Sequence, residues 1–346
     1  MKKLYLADIE ERSRRFLGCR TIDDLCCLGF VKNELLLHSL NISYYSFELR
    51  KKSGKMRQIE SPNESLKKVL RQFNYYLQCV YYIHQTDASQ GYIITPKKSK
   101  VCKSILENAR VHLRNRFMLN IDFQDFFHQI SFERLAKRLS ETPFKFDTST
   151  SKLLALLFTY KGRLPMGAPT SPVLSNLCVM KLDMEMSEWS KKNGVTYSRF
   201  VDDLTFSRDD SEFISDTYTE INHICLKHSL KVNPAKIKYF GEGSLRKVTG
   251  LILRETIDIE DGFYHELDKD FNRMKNLVEV VIINHGVKSN DEVQTFKKEI
   301  EGQINFIGMV EGYNSPIFNQ YRQKLKAVMN PAEEVLSVRW TNFNYV

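Results

Sequence analysis

The chain has 346 residues, a net charge of +9 and a hydrophobic fraction of 42%, with 22 phenylalanines. That composition excludes a disordered chain and suffices for two or three subdomains around a large core. No apolar run reaches the ~18 residues of a membrane span, and Asp8, Glu10 and Glu11 interrupt the N-terminus before a signal-peptide core can form.

Taken in order, residues 1–50 read as mostly helical and end in NISYYSFELR, which alternates like a strand. KKSGKMRQIESP (51–62) reads as a hairpin, with Ser53-Gly54 as its turn and Met56, Gln58 and Ile59 on the return strand. Residues 64–84 repeat apolar positions at Leu66, Val69/Leu70, Phe73, Leu77 and Val80/Tyr81, which predicts a helix with a wide buried face. KKSKVCK (97–103) is a basic loop, open to phosphate contact or to plain solvation. RFMLNIDF (116–123) is a short apolar strand leading to Asp122, and SFERLAKRLS (131–140) a helix that Ser131 can cap.

A helix over about 149–160 leads to the loop GRLPMGAPTSP, after which Ser171 and Pro172 read as the cap and first turn of a helix through Trp189, closed at Gly194. VTYSRFVDDLTFS reads as two strands around a two-residue tip. A helix over about 211–229 follows, then the strand-like LKVNPAKIKYF and SLRKVTGLILRE. From residue 266 the pattern is helical: ELDKDFNRMKNLVEVVIINHG is apolar at Leu267, Phe271, Met274, Val278 and Val281 and stops at Gly286, and two further helices succeed it. The whole predicts an α+β core with an appended helical module.

Charge is unevenly placed. Residues 1–120 carry 22 Lys and Arg against 11 Asp and Glu, whereas residues 121–230 carry 13 against 15. A basic first third beside an acidic middle suggests a polyanion partner and a metal-binding centre. The seven cysteines show no CxxC spacing, which argues against zinc and against a disulfide framework and for a reducing cytoplasm.

The acidic middle contains Asp202-Asp203 within an otherwise apolar stretch. On a regular strand neighbouring side chains point to opposite faces, but at a hairpin tip both carboxylates can face one way. Their repulsion is costly without a cation between them. With Asp122 ending another strand, three carboxylates suit a hard divalent cation such as Mg²⁺, and two such ions can hold the attacking and leaving oxygens of a phosphoryl transfer. Asp is also common in turns, so the dipeptide alone is compatible with an ordinary polar turn.

NIDFQDFF, LPMGAPTSPVLSNL and RFVDDLTFS, in this order and spacing, resemble the polymerase motifs of reverse transcriptases. VNPAK (232–236) and RKVTGL (246–251) resemble the next two blocks, and RQIESP (57–62) resembles the nucleotide-binding fingers strand. The likeness runs from about 55 to 255. NARVH (108–112) and Val248-Thr249-Gly250 fit the NAxxH and VTG segments of the retron subgroup.

The resemblance implies a right-hand polymerase fold: an N-terminal helical extension (1–50), fingers (51–115 and 138–168), a palm of antiparallel sheet plus helices (116–137 and 169–262) and a helical thumb (263–346). It implies two Mg²⁺ ions on Asp122, Asp202, Asp203 and the Phe123 carbonyl, with Arg57 meeting the triphosphate. Lys236 is the implied proton donor to pyrophosphate, although Lys238 would share its strand face. Phe127, or its neighbour Phe126, would lie under the incoming sugar, and a ring there leaves no room for a 2′-hydroxyl, favouring dNTPs.

Met166 and Gly167 belong to the nucleotide loop, Met166 standing where the family usually has glutamine and Phe200 where it usually has tyrosine. Asn108, His112, Val248, Thr249 and Gly250 are implied nucleic-acid contacts, and Arg322, Lys324 and Lys326 could track a duplex backbone. A buried structural role for His112 fits its apolar surroundings equally well.

The retron likeness further implies a cognate structured noncoding RNA as template and primer, priming from a guanosine 2′-hydroxyl, a branched multicopy single-stranded DNA product and anti-phage defence beside an effector protein. With no room after the thumb for a nuclease domain, host RNase H would remove the template. No membrane partner is expected. Other readings are a diversity-generating or intron-type reverse transcriptase, and an RNA–DNA scaffold that restrains the effector.

Overall fold

The computed structural model describes residues 4–50, 54, 56–99, 101–284 and 291–330. Ser53 of the expected hairpin turn, Lys100 of the basic loop, the side chain of Val281 and the helix stop Gly286 lie outside the described residues. The chain forms two compact units, Met1–Thr249 and Gly250–Val346.

The first unit opens with three helices, α1 (Leu6–Gly18), α2 (Ile22–Cys26) and α3 (Lys32–Leu40), followed by the antiparallel hairpin β1 (Tyr44–Arg50) and β2 (Met56–Pro62). Helix α4 (Glu64–His84) begins where Asn63 accepts a hydrogen bond from the Leu66 amide. It buries the apolar stripe that the sequence predicts, Leu66, Val69, Leu70, Phe73, Leu77, Val80 and Tyr81. Phe73 stacks on Phe30 with ring centroids 4.1 Å apart and meets Phe16 edge-on, so the N-terminal helices share the core of the polymerase-like region.

Helix α5 (Ile105–Arg110) precedes β3 (Phe117–Asp122), and β3 lies inside a four-stranded antiparallel sheet. The strand order is β4 (Thr196–Phe200), β5 (Asp203–Arg208), β3, β6 (Lys238–Phe240). A central strand with both faces covered needs the apolar run that Phe117, Met118, Leu119 and Ile121 supply, all buried. Between β3 and β4 come α6 (Phe132–Ser140), capped by Ser131, α7 (Thr148–Phe158) and the long α8 (Ser171–Lys192). After β5 come α9 (Ser215–Lys227), β6 and β7 (Arg246–Val248).

Three local expectations are corrected. Ser171 is the first residue of α8 rather than its cap: Thr170 holds the cap position, and the Ser171 hydroxyl donates to the Pro165 carbonyl at 2.7 Å. The helix expected from about 211 starts at Ser215. LKVNPAKIKYF is not one strand, because Pro234 has no amide to give a ladder; a 3₁₀ turn (Pro234–Lys236) precedes β6, and Lys236 and Lys238 therefore do not share a strand face.

The second unit begins with the hairpin β8 (Leu251–Leu253) and β9 (Ile257–Ile259), which the sequence reading placed in the palm. Helices α10 (Asp261–Asn284), α11 (Asp291–Glu311) and α12 (Pro316–Met329) follow. Their core is Leu267, Phe271, Met274, Val278, Ile300, Ile304, Ile307 and Tyr321, and Ser315 caps α12 by accepting from the Phe318 amide. Among the described residues no helix is long and apolar enough to cross a membrane.

Candidate active site

Asp122 ends β3 and Asp203 begins β5, and the two are register partners across the antiparallel ladder. Directly opposed side chains on neighbouring strands emerge on the same face. The two-residue tip is Val201-Asp202, so Asp203 is a strand residue and only Asp202 lies in the turn, a correction to the picture of both aspartates at the tip. The Phe123 amide donates to the Asp202 carbonyl at 2.9 Å, which stitches the turn to the end of β3.

The electrostatics follow from this crowding. Burial, then the nearby charges of Asp122 and Asp202, push the Asp203 carboxyl up to about 7. Burial and Asp122 raise Asp202 as well. Asp122 is ion-paired at 2.7 Å with the Lys236 ammonium, while among the described residues Asp202 and Asp203 have no ion pair. No three acidic, histidine or cysteine groups among the described residues form a ready-made metal cluster. The donor set nevertheless fits a hard divalent cation: its side chains offer oxygen alone, and burial and mutual repulsion hold two of its three carboxyls above their ordinary value, which added positive charge would offset.

A buried network that the sequence reading missed sets the turn. Arg199, on β4, is fully buried; its Nε and Nη2 both reach Asp183 of α8 at 2.7 Å. Its Nη1 donates to the Val201 carbonyl at 2.8 Å and to Asn176 Oδ1 at 2.9 Å. Tyr197 and Thr86 complete the satisfaction of Asp183. Val201 has φ +64°, at the first tip position, where glycine is the usual occupant. A β-branched residue there is strained by about 1–3 kcal/mol, and Arg199 holds its carbonyl in place. The available signal was an arginine one residue before the apolar Phe200-Val201 that leads to the aspartates.

Of the three aspartates, Asp202 lines a cleft of about 910 Å³, which Phe123 and the Asp122 partner Lys236 also border. Arg57 and Ile59 of β2 line it, as do Met166, Gly167, Phe127 and Lys236. Arg57 is exposed, and its positive charge acts on Asp202. Both adjacent phenylalanines border the cleft; Phe126 is buried and stacked on Phe123 at 5.4 Å, and Phe127 is half-buried. Tyr92, exposed and with φ +56°, also lines the cleft and was not singled out from the sequence.

The loop at 163–167 is fastened to β2. The Glu60 amide donates to the Met166 carbonyl at 2.8 Å, and the Arg163 guanidinium grips the buried Glu60 carboxylate at 2.8 and 3.1 Å. Burial raises the Glu60 carboxyl, but Arg163 and His128 outweigh it and the net shift is downward. Gly167 has φ +142°, and a Cβ there would stand 2.6 Å from the Glu60 carbonyl oxygen, so only glycine permits this approach.

Asn108 and His112 are fully buried, and their side chains are not open to nucleic acid; the expectation of direct contact is corrected to an internal brace. Ser198 of β4 donates to Asn108 Oδ1 at 2.7 Å, so its oxygen must accept from His112 Nε2, also at 2.7 Å. Nδ1 then accepts from Ser207 of β5 at 2.6 Å, and Asn115 donates to that same serine at 2.7 Å. The neutral imidazole thus ties β4 to β5, the strand that Asp203 begins.

Burial pushes His112 down from an ordinary 6.5 to about 3. A depressed folded value means that the unfolded chain binds the extra proton, so the stabilisation is complete above about pH 6.5 and is lost as pH falls toward 3. Urea unfolding is expected to show about 2 kcal/mol less stability at pH 5 than at pH 7.5 from this group, and a His112→Gln variant to lose that increment. Equal acid slopes in the two proteins would refute a buried neutral imidazole.

Val248 is buried, which removes its side chain as a contact, and the Thr249 hydroxyl donates to the carbonyl of Ile105, the first residue of α5, at 3.4 Å. Thr249 and Gly250 have φ +47° and +84°. In the second unit the Lys324 ammonium is committed to Asp268 at 2.6 Å and sits over Phe271, so it is not free for a phosphate. Arg322 is exposed and lies over the Phe318 ring.

Residues 49–309 match the family described as reverse transcriptase (RNA-dependent DNA polymerase). The chain is 30% identical to the retron Ec83 reverse transcriptase of Escherichia coli, over 64% of this chain and 72% of that protein. It is also 30% identical to the retron Ec86 reverse transcriptase of the same organism, over 67% and 70%. To the retron Mx162 reverse transcriptase of Myxococcus xanthus it is 29% identical over 61% and 47%. Among solved structures, telomerase from Candida albicans aligns over 88% of this chain and 66% of that one, with TM-score 0.45 and 11% identity.

Proposed function

The chain belongs to the reverse transcriptase family, in its retron branch, and is an RNA-directed DNA polymerase; from that premise we propose that it copies one cognate structured noncoding RNA from a guanosine 2′-hydroxyl. The product is a branched multicopy single-stranded DNA, made in the cytoplasm for anti-phage defence, with an effector protein as partner and host RNase H trimming the template. The observation that supports this reading best is the facing of Asp122 and Asp203 across the ladder, next to Asp202, which lines a cleft large enough for a nucleotide.

Asp122, Asp202 and Asp203, with the Phe123 carbonyl, would hold two Mg²⁺ ions. Bound there, such ions activate the attacking hydroxyl and neutralise the departing pyrophosphate. Arg57 meets the triphosphate from the β2 side, and Met166 and Gly167 bound the nucleotide beside it. Phe127 closes the space a ribose 2′-hydroxyl would need, which favours dNTPs. Lys236, whose ammonium already sits within the carboxylate cluster, is placed to pass a proton to pyrophosphate. Arg322 is the thumb residue left for the duplex backbone, and Thr249 and Gly250 remain contacts for the RNA.

The test is to express the chain with its flanking genomic DNA and extract small nucleic acids, alongside an Asp202→Asn, Asp203→Asn double variant. A discrete single-stranded DNA, shortened by debranching enzyme and absent from the variant, is expected. Extension of a DNA primer on generic RNA without any such product would overturn the retron product while keeping the polymerase.

A further inference from the structure

A second concave site lies between α6, the middle of α8 and the residues that follow α9, with a volume of about 430 Å³ and no residue in common with the catalytic cleft. Its wall holds two half-buried guanidiniums, Arg134 and Arg138. Neither forms an ion pair among the described residues. Arg134 donates to the His228 and Cys178 carbonyls at 2.8 and 3.2 Å, and Arg138 to the Thr142 carbonyl at 2.8 Å and to Met180 Sδ at 3.5 Å. The Arg138 Nε is buried and has no partner.

A guanidinium carries five donor hydrogens, and each of these spends only part of that set, always on uncharged acceptors. Partial burial of two like charges without an anion is unfavourable and raises the affinity of the site for one. The other charges in the site supply it only in part, because the nearby carboxylate of Glu141 is shared among Lys181, Lys137 and Arg138. Glu141 is already paired with Lys181 at 2.9 Å, and Lys227 at the rim is paired with Glu185 at 2.7 Å. Lys137 adds an exposed cation against the single exposed carboxylate of Glu133. Planar forks set back in a groove, with a lysine at the rim, match the oxygens of a phosphodiester.

We infer that this groove is a second nucleic-acid site, which holds the phosphate backbone of an RNA segment lying outside the catalytic cleft. The inference rests on the polymerase reading in one respect: a structured RNA template extends beyond the few nucleotides that the cleft encloses. The groove contacts are to phosphate alone, so they set affinity and position without reading sequence.

The experiment measures binding of a fluorescein-labelled RNA stem-loop with a single-stranded tail, as a function of salt, by wild type and by a Lys137→Glu, Arg138→Gln double variant. Each cation removed from a single-strand contact lowers the steepness of log K against log salt by about 0.7, so the double variant is expected to lose about 1.4 and to bind about tenfold more weakly at moderate salt. Extension of a DNA primer on a short RNA template, which fills only the cleft, stays at the wild-type rate. Lys137→Ala, an exposed change that leaves the fold intact, is expected to remove about 0.7 of the slope by itself.

Unchanged slopes in both variants would overturn the inference. So would tripolyphosphate raising the melting temperature of wild type and not of the double variant while RNA binding stays equal, because the groove would then take a free phosphate. A wild type that shows the groove-dependent slope yet fails to extend the short template leaves the groove standing and sinks the polymerase reading.

Discussion

Asp203→Asn is expected to lower kcat by roughly 10³-fold or more, equivalent to about 4 kcal/mol of lost transition-state stabilisation, with the KM for dNTP changed little. The carboxylate faces Asp122 across the ladder and is held up near 7 by burial and its two acidic neighbours. Its ionised form is therefore a cost to the fold whenever no cation is bound, and the amide removes that cost. In chelator the variant should melt at or above wild type, each kcal/mol relieved adding about 2–4 °C for a unit of this size. Mg²⁺ should raise the melting temperature of wild type and not that of the variant. A variant that keeps wild-type kcat would take Asp203 out of the reaction, and one that melts lower in chelator would show that its charge was already compensated.

Asp183→Ala should be the most damaging single change to stability, at about 3–5 kcal/mol, the range seen when one partner of a buried ion pair is removed. The alanine leaves the Arg199 guanidinium fully buried with Asn176, Ser89 and the Val201 carbonyl as its remaining partners. Because Arg199 also restrains the left-handed Val201, the loss reaches the aspartates, and kcat should fall together with stability. Equilibrium urea unfolding measures the first effect and single-turnover extension the second. Asp183→Asn, which keeps the shape and one acceptor, should fall between alanine and wild type. A loss below 1 kcal/mol for alanine would mean that water or neighbouring groups take over the guanidinium.

Much of this architecture was legible because it is local. The stripe at Leu66, Phe73 and Leu77 predicted α4, the apolar run into Asp122 predicted β3, and the repeat at Leu267, Phe271 and Met274 predicted α10. Periodicity reports which face of an element is apolar. It does not report which distant group a buried polar side chain will meet. Arg163 finds Glu60 across 103 positions and His112 finds Ser207 across 95, so the first was missed and the second left open between ligand contact and core. Val201 shows the converse limit: its β-branched side chain argues against a left-handed turn, and tertiary bonds from Arg199 overrule it.

The joint between Glu60, Arg163 and Gly167 has a consequence for how a substrate is received. Wall segments that are far apart in the chain are bolted together before any nucleotide arrives, and a side chain at 167 would force them apart. The entropy of ordering these segments is spent once, at folding, and is not charged again each time a ligand binds. On the proposed assignment of this cleft to the incoming nucleotide, a rigid receptacle of this kind would select by shape at the moment of entry.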